Sequence, residues 1–228
     1  MKIEPSSVAG VDLIGPDAPE FEPALESLLG RKPCDVLKPA LPYSVIARNH
    51  APRVVALLGI RFDMLGAHAK SYSVVHYADT LRYPEKADLI SGAMRFVCAE
   101  PLYTDLVLRR DSSVDPRGRM NLDRLRQSLR IRATIDCAAF ADGQFAGPDS
   151  LGAFDRFERE RNAEIALLDE ISRKDCEIEA LLAQAMEAPA VPARRVLARR
   201  LHEGLLAGGP DEVAIRARNH RLRLKLWR

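Results

Sequence analysis

Strict alternation of apolar and polar residues marks one stretch above all others. In Leu129–Phe140, residues Leu129, Ile131, Ala133, Ile135 and Cys137 fall on one side of an extended chain, with Arg130, Arg132, Thr134 and Asp136 on the other. That period of two predicts a strand with one buried and one wet face. Asp142-Gly143 then reads as a tight turn, because both residues accept positive φ. Phe145 opens a short return strand, with Phe140 and Phe145 expected as cross-strand packing partners.

Upstream, runs rich in Val, Ile and Tyr predict further short strands at Tyr43–Arg48, Val54–Phe62, Tyr72–Ala78, Ala93–Ala99 and Thr104–Leu108. Asp111–Gly118 reads as a loop of turn formers. The lack of a helical period between these runs counts against a doubly wound α/β fold, and the spacing predicts an antiparallel β-sandwich. Before it, residues 1–35 carry Pro5, Pro16, Pro19, Pro23 and Pro33 and one short helix, Phe21–Leu29, stopped by Gly30. This segment is expected to pack on a later element, its first dozen residues being the looser part.

Downstream the period changes to that of a helix. Gly147-Pro148-Asp149-Ser150 closes the β region, and Asp149 or Ser150 can cap the first turn of a helix running to about Met186. Phe157, Leu168, Ile171, Leu182 and Met186 belong to its apolar stripe. So long a helix outreaches a small sandwich, so it either breaks near Ser172–Glu177, where the stripe is interrupted, or docks its far half elsewhere. Ala193–Leu206 reads as a second helix stopped by Gly208-Gly209, and Asp211–Trp227 as a third. Arg221–Leu226 also alternates as a terminal strand would, but helix is the preferred reading. The expected fold class is therefore α+β, an antiparallel immunoglobulin-like β-sandwich with a helical C-terminal extension. Its parts are an N-terminal extension over 1–35, the sandwich over 36–148, a long amphipathic helix over 149–188 and a basic helical extension over 189–228.

Charge adds an asymmetry to this plan. From Pro189 to Arg228, ten Lys/Arg face three acids, so that end carries +7 and the rest of the chain −5 within a total of +2. The 47% hydrophobic and 29% charged content argues against global disorder. Cys34, Cys98, Cys137 and Cys176 lack metal-ligand spacing and read as buried free thiols of a reducing compartment, with a Cys98–Cys137 bridge conceivable but unneeded. The opening residues lack the apolar core of a secretory signal, and the longest apolar run, Val54–Ile60, is too short for a bilayer. The expected location is the cytoplasm.

Tyr43–Phe62 has the order strand, Asn with a turn, strand that resembles the early part of immunoglobulin-like and fibronectin-like sandwiches. Phe140–Asp149 followed by a charged amphipathic helix resembles uncharacterised bacterial proteins bearing one such sandwich. The resemblance implies a fold and a bacterial context, and no catalytic residue carries over. The Cys…Trp…Cys core of antibody domains is missing, the one tryptophan being Trp227.

The sequence holds no phosphate-cradling glycine loop, no G-x-S-x-G elbow and no H-E-x-x-H helix. His76 with Asp79 could form an acid–base couple, yet no nucleophile accompanies it, and a hydrogen-bonded strand histidine is the favoured reading. Asp136, Asp142 and Asp149 could gather oxygens for Ca²⁺, but the turn and the cap already account for two of them. No cofactor or metal is expected. The best candidate site is basic: Arg216, Arg218, Arg221, Arg223, Lys225 and Arg228, which suit an anion or a partner unless they fold back onto the acidic body. The sequence thus points to a non-enzymatic interaction protein acting through its sheet edges and helical extension, with a protein partner or a homodimer. The alternative is a nucleic-acid or anionic-membrane binder using the C-terminus.

Overall fold

A computed structural model of the chain describes residues 1–66, 71–79, 89–109, 115–173, 177–187 and 191–225. The elements begin with β1 (Lys2–Ile3), β2 (Val11–Ile14), α1 (Phe21–Leu29), a 3-10 helix at Lys38–Tyr43, β3 (Ser44–Asn49), β4 (Val55–Leu65), β5 (Ser71–Asp79) and β6 (Met94–Cys98). They continue with α2 (Pro101–Arg109), α3 (Pro116–Arg126), β7 (Arg130–Phe140), β8 (Phe145–Ala146), α4 (Ala153–Ser172), α5 (Ile178–Glu187) and α6 (Pro192–Lys225). The larger sheet has the order β1-β7-β4-β5, with β8 hairpinned onto β7, and the smaller has the order β2-β3-β6. β1 runs parallel to β7, and the other named pairings are antiparallel.

This is an α+β fold, and the immunoglobulin-like sandwich is not what the chain builds. Three local features divert it. The first is Asn49, whose buried side chain donates to the carbonyls of Arg53 (2.7 Å) and Leu89 (2.8 Å) and accepts from the Ala51 amide (2.9 Å). It thereby holds the link between β3 and β4, which do not pair as a hairpin but enter different sheets. The second is the N-terminal segment, which supplies β1 to one sheet and β2 to the other. The third is the run 101–126. Thr104–Leu108 was expected as a strand but lies in α2, where Pro101 starts the helix and Tyr103 and Leu106 bury one helical face. The Thr104 hydroxyl there receives the Cys98 amide at 2.8 Å. Asp115-Pro116, at the end of the expected loop, is a helix start: the Asp115 carboxylate accepts from the Arg117 amide at 2.7 Å, and Leu122 and Leu125 of α3 are buried.

Two hydrophobic cores lie on either side of the larger sheet. The first joins both sheets to α1, α2 and α3 through residues such as Phe21, Ile46, Ile60, Phe62, Phe96 and Ile135. The second packs Leu57, Cys137 and Ala139 of the sheet against Phe157, Leu168, Leu182, Leu197 and Val213 of the helices. The odd-numbered residues of β7 serve first one core and then the other because the pairing of β7 with β4 is bulged. Gly59 pairs with Cys137 while Ile60 pairs with Ile135, so Asp136 is an extra residue, and Ala56 is the extra residue between the Val55 and Leu57 pairings. A single inserted residue reverses the facing of all that follow. Ile131, Ala133 and Ile135 therefore fill the first core, whereas Cys137 and Ala139 fill the second. Cys137 was expected to share a face with Ile135, and the bulge moves it to the other side.

Of the two alternatives for the long helix, the structure has the break: α4 ends at Ser172 and α5 starts at Ile178. α6 bends at Gly209 (φ 70°), followed by Pro210, and is helical again through Lys225, so the alternating Arg221–Leu226 run is helix as far as it is described. Phe140 and Phe145 do not face each other. Phe145 pairs with Ala139 and stacks on Phe154 at 4.6 Å, while Phe140 lies under the Arg53 guanidinium at 3.8 Å. No helix among the described residues is long and apolar enough to cross a membrane.

Candidate functional site

The basic end is folded back onto the acidic helix α4. The bend at Gly209 returns the second half of α6 along α4, where Arg221 pairs with Asp169 and the His220 Nε2 meets the buried Glu164 carboxylate at 3.1 Å. Arg216 donates to Glu212 at 2.7 Å and to the Arg200 carbonyl at 3.3 Å, and its side chain lies against Gly204, where a Cβ would come within 2.8 Å of it. Upstream in the same helix, Arg194 forms a pair with Glu170 at 2.8 Å. Of the six predicted residues, Arg218 is exposed, while Arg223 and Lys225 are described as helix backbone and Arg228 lies outside the described residues. The structure therefore spends Arg216 and Arg221 on internal contacts.

His76 points at Ala99, with Nε2 3.0 Å from its carbonyl, and meets the Phe62 ring edge-on at 5.5 Å. The three aspartates are also structural. Arg53 clasps Asp142 through two bonds of 2.7 and 2.6 Å, and these hold its carboxyl below the usual range. Asp149 accepts from the amides of Ala153 (2.5 Å) and Phe154 (3.0 Å), the predicted cap of α4. Asp136, Cys137 and Asp149 present ligand atoms within 4.8 Å of one another. Both carboxylates are already engaged, and burial, helped by the two neighbouring aspartates, pushes the Cys137 thiol up to about 12. A protonated thiol is a poor metal ligand. Cys34, Cys98 and Cys137 are free, Cys34 only half-buried, and Cys176 lies outside the described residues.

The first half of β5 is exposed. Its nine residues pair with β4 without a bulge, and among the described residues it is the edge of the larger sheet. Ser71, Tyr72 and Ser73 are exposed. Alternate side chains lead to two clefts, one on each face of the sheet. Tyr72 and Val74, opposite Met64 and Phe62, border a cleft of about 570 Å³ whose wall is completed by Glu100, Asn121, Arg124 and Leu125. Burial raises the Glu100 carboxyl above the ordinary range; its oxygen accepts from the Leu102 amide at 3.3 Å.

Ser71 and Ser73, on the opposite face, border a cleft of about 440 Å³ with Arg61, Asp63, Arg130 and Arg132. The C-terminal helices cover the sheet near Leu57, Cys137 and Ala139 and leave these arginines half-buried or exposed. Asp63 accepts from Ser73 (2.5 Å) and Arg61 (2.7 Å), and against the desolvation that burial imposes these bonds bring its carboxyl below the usual range. Arg132 reaches Glu4 at 3.6 Å. Sequence reasoning placed the β5 strand but not these clefts, because Glu100, Arg124 and Arg130 come from separate elements with no shared motif. No family model, curated protein or solved structure matches the chain.

Proposed function

We propose that the protein binds extended peptide segments by strand addition along the Ser71–Val75 end of β5. One observation carries the reading: among the described residues, no strand pairs with the outer side of this long edge. Proteins blunt exposed sheet edges with charges, prolines, bulges or covering elements, because an open row of N–H and C=O groups pairs with any available strand. From Ser71 to Tyr77 there is no Lys, Arg, Asp, Glu or Pro, and the pairing with β4 has no irregularity. The other edges contrast with it. β1 is two residues long, β2 carries Asp12 in a pair with Arg48 at 3.0 Å, and β6 packs against α2. An added strand would gain main-chain hydrogen bonds from β5, and its alternate side chains would meet the two flanking clefts, which is how strand addition acquires specificity.

The folded-back arginines of α6 favour this surface over the basic end as the contact region. Three free cysteines suit a reducing, cytoplasmic setting. The test is selection of random displayed peptides against the whole chain, followed by hydrogen exchange with the best synthetic peptide. The expected result is new protection at Ser71–Val75, lost when alternate peptide nitrogens are methylated. Protection confined to other elements, or a self-associated protein already protected at β5, would overturn the reading.

A further inference from the structure

Resting on that reading, we propose that the peptide carries acidic side chains at alternate positions, with apolar ones between them, so that its carboxylates enter the arginine cleft beside Ser73. The two faces of β5 differ in charge. On the face of Ser71 and Ser73, three arginines surround one aspartate. That aspartate is occupied by Arg61 and Ser73. Glu4, which approaches Arg132 at 3.6 Å, is held more closely by Lys2 at 2.9 Å. Arg130 is exposed and has no carboxylate at ion-pair distance among the described residues. The cleft thus has guanidinium groups in excess and the Ser71 hydroxyl at its rim, donors that carboxylates take up through charge-assisted bonds.

The other face offers Met64, Tyr72, Val74 and Leu125, beside the polar Glu100, Asn121 and Arg124. A strand laid along β5 sends successive side chains to opposite faces. A residue facing the serine side therefore meets positive charge, and its neighbours meet the apolar wall. The pattern recognised is acid–apolar–acid in an extended segment.

The probes are labelled peptides of alternating glutamate and valine, of glutamine and valine, and of lysine and valine, titrated by anisotropy against the full chain and against Arg130→Glu. The glutamate peptide should bind about tenfold more tightly than the glutamine peptide at low salt. That advantage should shrink as salt rises, and Arg130→Glu should erase it. Protection of β5 by glutamate and glutamine peptides with equal affinity overturns the acidic preference and leaves strand addition standing. Protection of β5 by none of the peptides removes the strand-addition reading itself. Competition by inorganic phosphate alone, or tighter binding of a single-stranded RNA oligomer to the same arginines, assigns the cleft to a different anion and overturns the peptide assignment.

Discussion

Asp136 and Ser150 lock the last long strand to the first helix of the C-terminal unit. The Asp136 carboxylate, buried at 1% exposure, accepts from the Ser150 hydroxyl at 2.5 Å and from its amide at 3.2 Å. Its backbone carbonyl receives the Asp149 amide at 3.0 Å. Because Asp136 is the bulged residue of β7, the same position that hands the strand from one core to the other also anchors α4.

Removing this buried carboxylate breaks its bonds to the Ser150 hydroxyl and amide. Asp136→Ala should cost about 2–4 kcal/mol in urea unfolding and Ser150→Ala about 1–2 kcal/mol. The double variant should lose less than the sum, since the two residues share one interaction. Additive losses would show that the clasp contributes nothing beyond its parts.

Two glycines flanking the cap separate backbone strain from crowding. Gly147 has φ 107° and a Cβ there would lie 2.5 Å from the Asp136 carbonyl oxygen, while Gly152 has φ 63° with open space around it. Gly152→Ala should cost about 1 kcal/mol, the left-handed penalty alone. Gly147→Ala should cost at least about 2–3 kcal/mol, because clash is added to strain. Thermal melts of the two variants compare them directly.

Glu100 predicts a pH dependence. Burial raises its carboxyl pKa in the folded state, so the native chain holds the proton more tightly than the unfolded one. Its contribution to stability is therefore full below the ordinary carboxylate range and falls as pH rises from that range through the raised value. Glu100→Gln should raise the urea midpoint at about pH 7 and leave it little changed at about pH 3, below the ordinary carboxylate range, where the wild-type carboxyl is protonated in both states. An equal effect at both pH values would point to packing instead.

Thiol chemistry should sort the cysteines by burial. In a Cys176→Ser background, Cys34 should react with a disulfide reagent in the native state. Cys98 and Cys137, pushed up to about 11 and about 12 by burial, should react only on unfolding. Rapid native labelling of Cys137 would mean that the contact between sheet and helices opens readily.

A chain ending at Glu187 loses Leu197, Leu201, Val213 and Leu224 from the second core. It should bind a hydrophobic dye and unfold without a cooperative transition at that end, so truncation cannot isolate the effect of the basic residues. Arg218→Glu, at an exposed position, should leave the melting temperature nearly unchanged and is the cleaner probe of polyanion binding.

Local signals were enough for the elements whose stability is local or whose pattern is unbroken. Phe21–Leu29 with its left-handed Gly30, the Asp142-Gly143 turn, the Asp149 cap, the break after Ser172 and the bend at Gly209 all stand where propensity, capping and period place them. Tertiary contacts decided the rest. Thr104–Leu108 has strand-forming residues, yet it is helical because Pro101 starts a helix whose Tyr103 and Leu106 fill the first core. The partners of each strand were equally hidden: Asn49 diverts β3 from β4, and two short N-terminal strands find β7 and β3 across more than a hundred and about thirty intervening residues respectively. The clefts beside β5 follow from those pairings. Sequence records a residue's own conformational preference and period; which distant groups share a face depends on register, and one bulged residue such as Asp136 is enough to change it.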